Sequence, residues 1–198
     1  MARLERLPLF LLNTVLYPEQ RLPLRVFEAR YMDMVTDSFK TGQPFGIVQI
    51  RSGSEVGEAA EPEDVGTLAY IEGWEMTEPG LLHILVRGGQ RFAIDRLDRH
   101  SKLVLADVHV WDDESAVAVA EDYTQMADFI RRIIQEFDAH RIAEPYRFED
   151  ASWVGMRLAQ LLPVEPALRQ RWLELRDPVV RLGSIHAALS ELAREDES

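Results

Sequence analysis

Cysteine is absent from this 198-residue chain, and disulfides, thiol nucleophiles and cysteine-ligated metals go with it. Lysine is almost absent, with only Lys40 and Lys102 present. Lys40 falls at the end of an expected helix, where a surface cation belongs. Lys102 sits in an expected turn beside Ser101, where the two side chains do not face each other productively, so no Ser-Lys dyad is read. There is no G-x-x-x-x-G-K-S/T loop, so the backbone amides and lysine that cradle nucleotide phosphates are missing. A G-x-S-x-G elbow and an H-E-x-x-H zinc helix are missing as well. The five histidines, at positions 83, 100, 109, 140 and 186, show no ligand spacing. Asp107 and His109 share a strand face, but a polar outer face accounts for them better than a base with its orienter. No catalytic residue, metal or cofactor is expected.

Long apolar runs are also lacking, and none approaches the ~18–20 residues of a membrane span. Residues 7–12 are apolar but carry Pro8 and lead into Asn13, unlike a secretory leader. Basic charge is scarce: 22 Lys and Arg stand against 34 Asp and Glu, for a net charge of −12. Such a surface repels phosphate backbones and anionic lipid. The arginines at 87, 91, 96 and 99 and at 169, 171 and 176 are interleaved with carboxylates and read as salt-bridged surface. Neither nucleic acid nor a membrane is expected as a partner, and the cysteine-free composition fits a reducing cytoplasm.

What is present is a chain in two styles. In the first half, Leu22, Leu24 and Val26 alternate with Arg21, Pro23 and Arg25, the period of a half-buried strand. Pro23 cannot donate to a ladder, so this strand belongs at an edge. Tyr31, Met32, Val35 and Phe39 recur at helical spacing before Gly42, a C-terminal stop. Strands follow at 45–50, 67–71, 81–86, 91–97 and 103–110, with a turn at 78–80 and a second expected at Gly88-Gly89. Residues 52–66 are acidic and turn-rich and read as a solvated, mobile loop. The second half is helical. Tyr123, Met126, Ile130, Ile133, Ile134 and Phe137 trace one helix face. Asp150 or Ser152 caps a second helix that ends at Pro163, Pro166 opens a third, and Asp177-Pro178 opens a fourth. The expected fold class is α+β, with a β-rich part at 1–115 and a helical bundle at 116–198.

The ordered motifs resemble a known family. LPLFLLNTVLYPEQRLPLRVFEARYMDMV (7–35), FGIV (45–48), GTLAYI (66–71) and GGQRFAI (88–94) are similar, in order and spacing, to the N-terminal substrate-recognition domain of Lon proteases in its stand-alone, short form. SWVGMRLAQLLP (152–163) and RQRWLELRDPVVRL (169–182) resemble its closing signature. Leu12 departs from a usual proline, Glu19-Gln20 from a glycine-containing turn, and Glu165 from a common helix-capping serine. The resemblance implies a PUA-like pseudo-β-barrel followed by a small C-terminal helical bundle. It also implies a non-catalytic module, without ATPase or peptidase domains, that binds unfolded or extended polypeptide or a protein partner. A second reading, a PUA-like cleft for a small molecule or nucleic acid, stays open, though the acidic balance opposes RNA.

Seven residues are candidates for polypeptide contact: Phe27, Glu28, Arg30, Tyr31, Trp74, Arg91 and Phe92. Glu28 and Arg30 have a structural alternative, with Glu28 capping a helix and Arg30 in a buried ion pair joining the two halves. Phe27 and Tyr31 have core packing as theirs. Trp74, between Gly73 and Glu75, is the best exposed aromatic. Arg91 and Phe92 follow the expected double-glycine turn, where a partner has access.

Overall fold

A computed structural model describes residues 2–55, 60–100, 102–136 and 142–196. Residues 56–59 of the expected mobile loop, Ser101, Phe137 and His140 lie outside these. The chain divides into two compact units, Met1–Asp112 and Asp113–Ser198.

The first unit holds β1 (Ala2–Leu12), β2 (Arg21–Val26), α1 (Ala29–Thr41), β3 (Phe45–Ser52), β4 (Glu61–Pro62), β5 (Val65–Glu78), β6 (Leu81–Asp98) and β7 (Leu105–Val110). The pairings β1–β7, β7–β6, β6–β5, β5–β3 and β3–β1 close a ring, antiparallel except for β1–β3. The ring is not a clean barrel. β2 and β4 hang outside it, and β5 and β6 run past it as a long hairpin.

β1 explains its own sequence. Leu7, Leu9 and Leu11 point to one core cluster, and Phe10 and Leu12 point to another. A strand buried on both faces reads as an unbroken apolar run. The first cluster centres on Phe92, which fills the ring; a Cβ on Gly46 or Gly66 would sit 2.7 Å from its Cζ. Those two glycines therefore make room for one aromatic ring. The second cluster lies between the sheet and α1, where Tyr31, Met34 and Val35 meet Leu82, Ile84 and Val86. Gly42, at φ 69°, closes α1 in the left-handed conformation that glycine tolerates.

Three expectations change here. Gly88-Gly89 is no turn: β6 runs unbroken through it for 18 residues. Gly88 is small because the Tyr17 carbonyl packs where a Cβ would go, and Gly89 because the Tyr70 ring does. The 17–20 turn docks there, with Glu19 N–H donating to the Gly88 carbonyl at 2.8 Å and Gly88 N–H donating to that of Gln20 at 2.8 Å. Phe39 was expected on the buried face of α1, but it is exposed. The buried stripe is Tyr31, Met34 and Val35, and Phe39 lies about 40° beyond Val35 at 3.6 residues per turn. The 52–66 stretch is no free loop throughout either. Glu61–Pro62 pairs with β3, and Glu55 accepts from Asn13 N–H. Pro23 does lie on an edge strand, since β2 pairs with β6 alone.

The second unit contains a short 3-10 turn (Glu121–Tyr123), α2 (Thr124–Glu136), α3 (Ala151–Leu161), α4 (Pro166–Glu174) and α5 (Pro178–Asp196). Asp150 caps α3 by accepting from Ser152 N–H at 3.0 Å, and Asp177 caps α5 by accepting from Val179 and Val180. α3 is buried almost all round, from Ala151 to Ala159. Beside it lies a buried polar centre. Arg181, 0% exposed, forms an ion pair with Glu114 and donates to the carbonyls of Trp172 and Leu175. Ser152 hydroxyl donates to the same Glu114 carboxylate. The residues preceding α2 are thereby tied to the starts of α3 and α5.

Candidate functional site

The 27–31 segment folds as a hinge between β2 and α1. Glu28 is the N-cap residue, but its side chain makes no cap hydrogen bond. Its carboxylate instead accepts from Arg30 at 3.0 Å. Arg30 also donates to the carbonyls of Lys102 and Glu55, at 3.1 and 3.5 Å, and its guanidinium lies 4.5 Å from the centre of the Tyr31 ring. Arg30 thus ties the start of α1 to the loops after β6 and β3. Among the described residues its partners all lie in the sheet unit, so the expected link between the two halves is not made by Arg30. Arg181 makes a buried pair with Glu114 inside the helical unit.

Tyr31 is core: it stacks on Phe10 with centroids 4.1 Å apart, and burial pushes its phenol pKa up against the opposing pull of Arg30. Phe27 is not core. It is 59% exposed and borders a recess of about 50 Å³ with Glu28, Tyr31 and Arg25. The recess is shallow beside the ring, so Phe27 offers mainly its exposed surface.

Arg91 and Phe92 are corrected. Phe92 is 0% exposed in the barrel core, and Arg91 is buried, with its guanidinium 4.9 Å from the centre of the Trp111 ring. Once Gly88-Gly89 continues the strand, the two residues sit buried within β6 and are not exposed at the surface.

Trp74 is exposed, at 55%. It sits where the β5–β6 hairpin outruns the ring: β3 pairs only with residues 67–69 of β5, while β6 pairs with it as far as Glu78. Phe39, 59% exposed, packs edge-on against Trp74 at 5.8 Å, and Met76 is 54% exposed two residues further on. Sequence reasoning missed Phe39 and Met76. A pattern that alternates or repeats says which face a side chain takes, but not that the face runs out of neighbours.

Other groupings are structural. His109 pairs with Asp95 at 2.6 Å and not with Asp107. Asp107 accepts from Arg6 N–H and pairs with Arg96 and Arg3, and these hold its carboxyl below the usual range. An open cleft of about 510 Å³ in the helical unit is lined by Tyr146, Phe148, Arg131 and Glu149 among others, with Arg131 stacked on Phe148 at 4.5 Å. Among the described residues no three His, Asp or Glu side chains gather as metal ligands, and no helix is long and apolar enough to cross a membrane.

The family profile described as the ATP-dependent protease La (LON) substrate-binding domain matches residues 6–191. The chain belongs to this family. It is 29% identical over 193 residues to Lon protease 2 of Herpetosiphon aurantiacus, a match that covers 91% of this chain and only 23% of that protein. It is similar to the Lon N-terminal domain protein from Xanthomonas campestris, with 32% identity, a TM-score of 0.77 and coverage of 94% and 98% of the two chains. The N-terminal domain of the Mycobacterium avium complex Lon protease shares the fold, at 18% identity and a TM-score of 0.62, over 91% of this chain and 96% of that one. The Lon N-terminal fold and the α+β class expected from the motifs are thus established, with the sheet ragged rather than a clean barrel.

Proposed function

We propose that this Lon N-terminal-type chain is a non-catalytic recognition module that holds unfolded or extended polypeptide weakly on its sheet unit. One observation carries the reading: Phe39 and Trp74 pack together in water, and the exposed Met76 follows on the same strand face as Trp74. Large aromatic side chains desolvated by a partner supply much of the energy of an interface. Two aromatics and a methionine without a deep pocket suit many sequences loosely, and ordering a disordered client offsets much of the contact energy. Dissociation constants in the micromolar range or weaker follow. Phe27 is a second exposed contact, and Arg30 supports it by fixing the start of α1. Turnover of neither ATP nor casein is expected, in keeping with the missing phosphate loop and the two isolated lysines.

The test is titration of the protein with unfolded casein, followed by amide chemical shifts. Shifts are expected at residues 37–41 and 72–78. The double substitution Phe39→Ala, Trp74→Ala should abolish them while leaving the melting temperature nearly unchanged. Absence of shifts at high-micromolar casein would falsify the reading.

A further inference from the structure

The outer half of β5 carries more than an apolar patch. Residues 71–78 pair with β6 on one side only, so alternate residues turn their N–H and C=O groups away from the sheet with no strand to receive them. Residues directly opposite in an antiparallel pair share a face. Ile71, Trp74 and Met76 stand opposite Val86, Ile84 and Leu82, which face α1. Gly73, Glu75 and Glu78 stand opposite Leu85, His83 and Leu81 on the other face. The two register shifts, between Ile71 and Gly73 and between Met76 and Glu78, sort the side chains this way. One face of the open edge is apolar, and the other carries two carboxylates. Glu72, at the first shift, is neutralised by Arg21 at 2.7 Å and Arg87 at 3.2 Å. Glu75 and Glu78 are exposed and have no ionic partner among the described residues.

We propose that this edge accepts a short basic client segment as an added strand, with apolar residues of the client beside Trp74 and Met76 and its alternate Lys or Arg side chains beside Glu75 and Glu78. The proposal rests on the polypeptide-binding reading above and narrows it to a mode and a client pattern. Main-chain hydrogen bonds to an open edge are indifferent to sequence, while the two faces select alternate side chains. The carboxylates also oppose pairing of the edge with its own copy, since two such edges bring like charges together. A net charge of −12 adds long-range attraction for a basic segment, which salt weakens. The register shifts bracket residues 73–76, so the added strand is short and the binding weak.

The experiment compares three eight-residue peptides on the intact protein: alternating Val and Lys, the same composition in two blocks, and alternating Val and Glu. Affinity is read by fluorescence anisotropy and hydrogen exchange by amide NMR. The alternating Val-Lys peptide should bind about tenfold or more tighter than either other peptide, and outward-facing amides within 71–78 should exchange more slowly in its presence. Glu75→Lys with Glu78→Lys should reverse the preference between Lys and Glu peptides at unchanged melting temperature. Equal binding of the block isomer, or binding without slowed exchange in 71–78, overturns strand addition while leaving polypeptide binding intact. If neither these peptides nor unfolded casein bind, both readings fall together.

Discussion

The two units place their charges in opposite ways. In the sheet unit the two core clusters are apolar, and arginine–carboxylate pairs such as Arg99 with Glu61 and Arg51 with Glu63 and Asp64 lie on the outside, although Arg91 is buried against Trp111. In the helical unit an arginine and a glutamate lie at the centre, with Arg181 and Glu114 almost wholly removed from water. A sheet supplies its own backbone partners, so its core can be purely hydrophobic. Helix ends leave carbonyls unsatisfied, and Arg181 serves two of them, at Trp172 and Leu175, in addition to its carboxylate. The sheet unit should therefore be sensitive to lost volume and the helical unit to lost charge partners.

The largest effects test that contrast directly. Arg181→Ala should cost about 3–5 kcal/mol, because it strands Glu114 without a partner. The paired substitution Arg181→Met, Glu114→Leu should recover part of that loss, since neither charge then remains buried alone, while the Trp172 and Leu175 carbonyls still lose their donor. Phe92→Ala should cost a similar 3–5 kcal/mol, but no second substitution of charge should rescue it. Denaturant melts of the three variants decide the matter, and a double variant no better than Arg181→Ala would break the comparison.

Arg30→Ala should cost only about 1 kcal/mol, because its pair with Glu28 is partly solvated. Thermal melts of Arg30→Ala beside Arg181→Ala sharpen the distinction between a surface tie and a buried one.

Acid should act on the sheet unit through Asp107, whose folded pKa lies below its ordinary value through the Arg6 N–H and then through Arg96 and Arg3. A depressed carboxylate contributes stability above its unfolded pKa and loses it as pH falls through the folded one. Melting temperature should therefore decline below about pH 4, and Asp107→Asn should flatten that decline. An unchanged slope would remove Asp107 from the account.

The smallest effect is local. Glu165 opens α4 without a side-chain cap, and Glu165→Ser should raise stability by about 1 kcal/mol. No gain in melting temperature would mean that the first turn of α4 is already satisfied in another way.

Sequence alone determined which stretches become strands and which become helices, because alternation, helical spacing, Pro23, Gly42, Asp150, Pro166 and Asp177 act through neighbours in the chain. It also determined the family, through motifs spread over most of the length. What it read as a turn at Gly88-Gly89 became the middle of a strand, since the reason for those glycines is the packing of Tyr17 and Tyr70 from elsewhere in the chain. The same limit governed the candidate site. Phe27 and Phe92 are equally apolar in sequence, yet one lies in water and the other fills a ring shaped by Gly46 and Gly66. Arg30 and Arg181 are each one arginine among apolar neighbours, and only the folded chain decided that Arg181, with Glu114 brought from 67 positions away, is the buried one. Exposure, an open strand edge and a buried charge pair are properties of what surrounds a residue, and those surroundings are assembled only when distant segments meet.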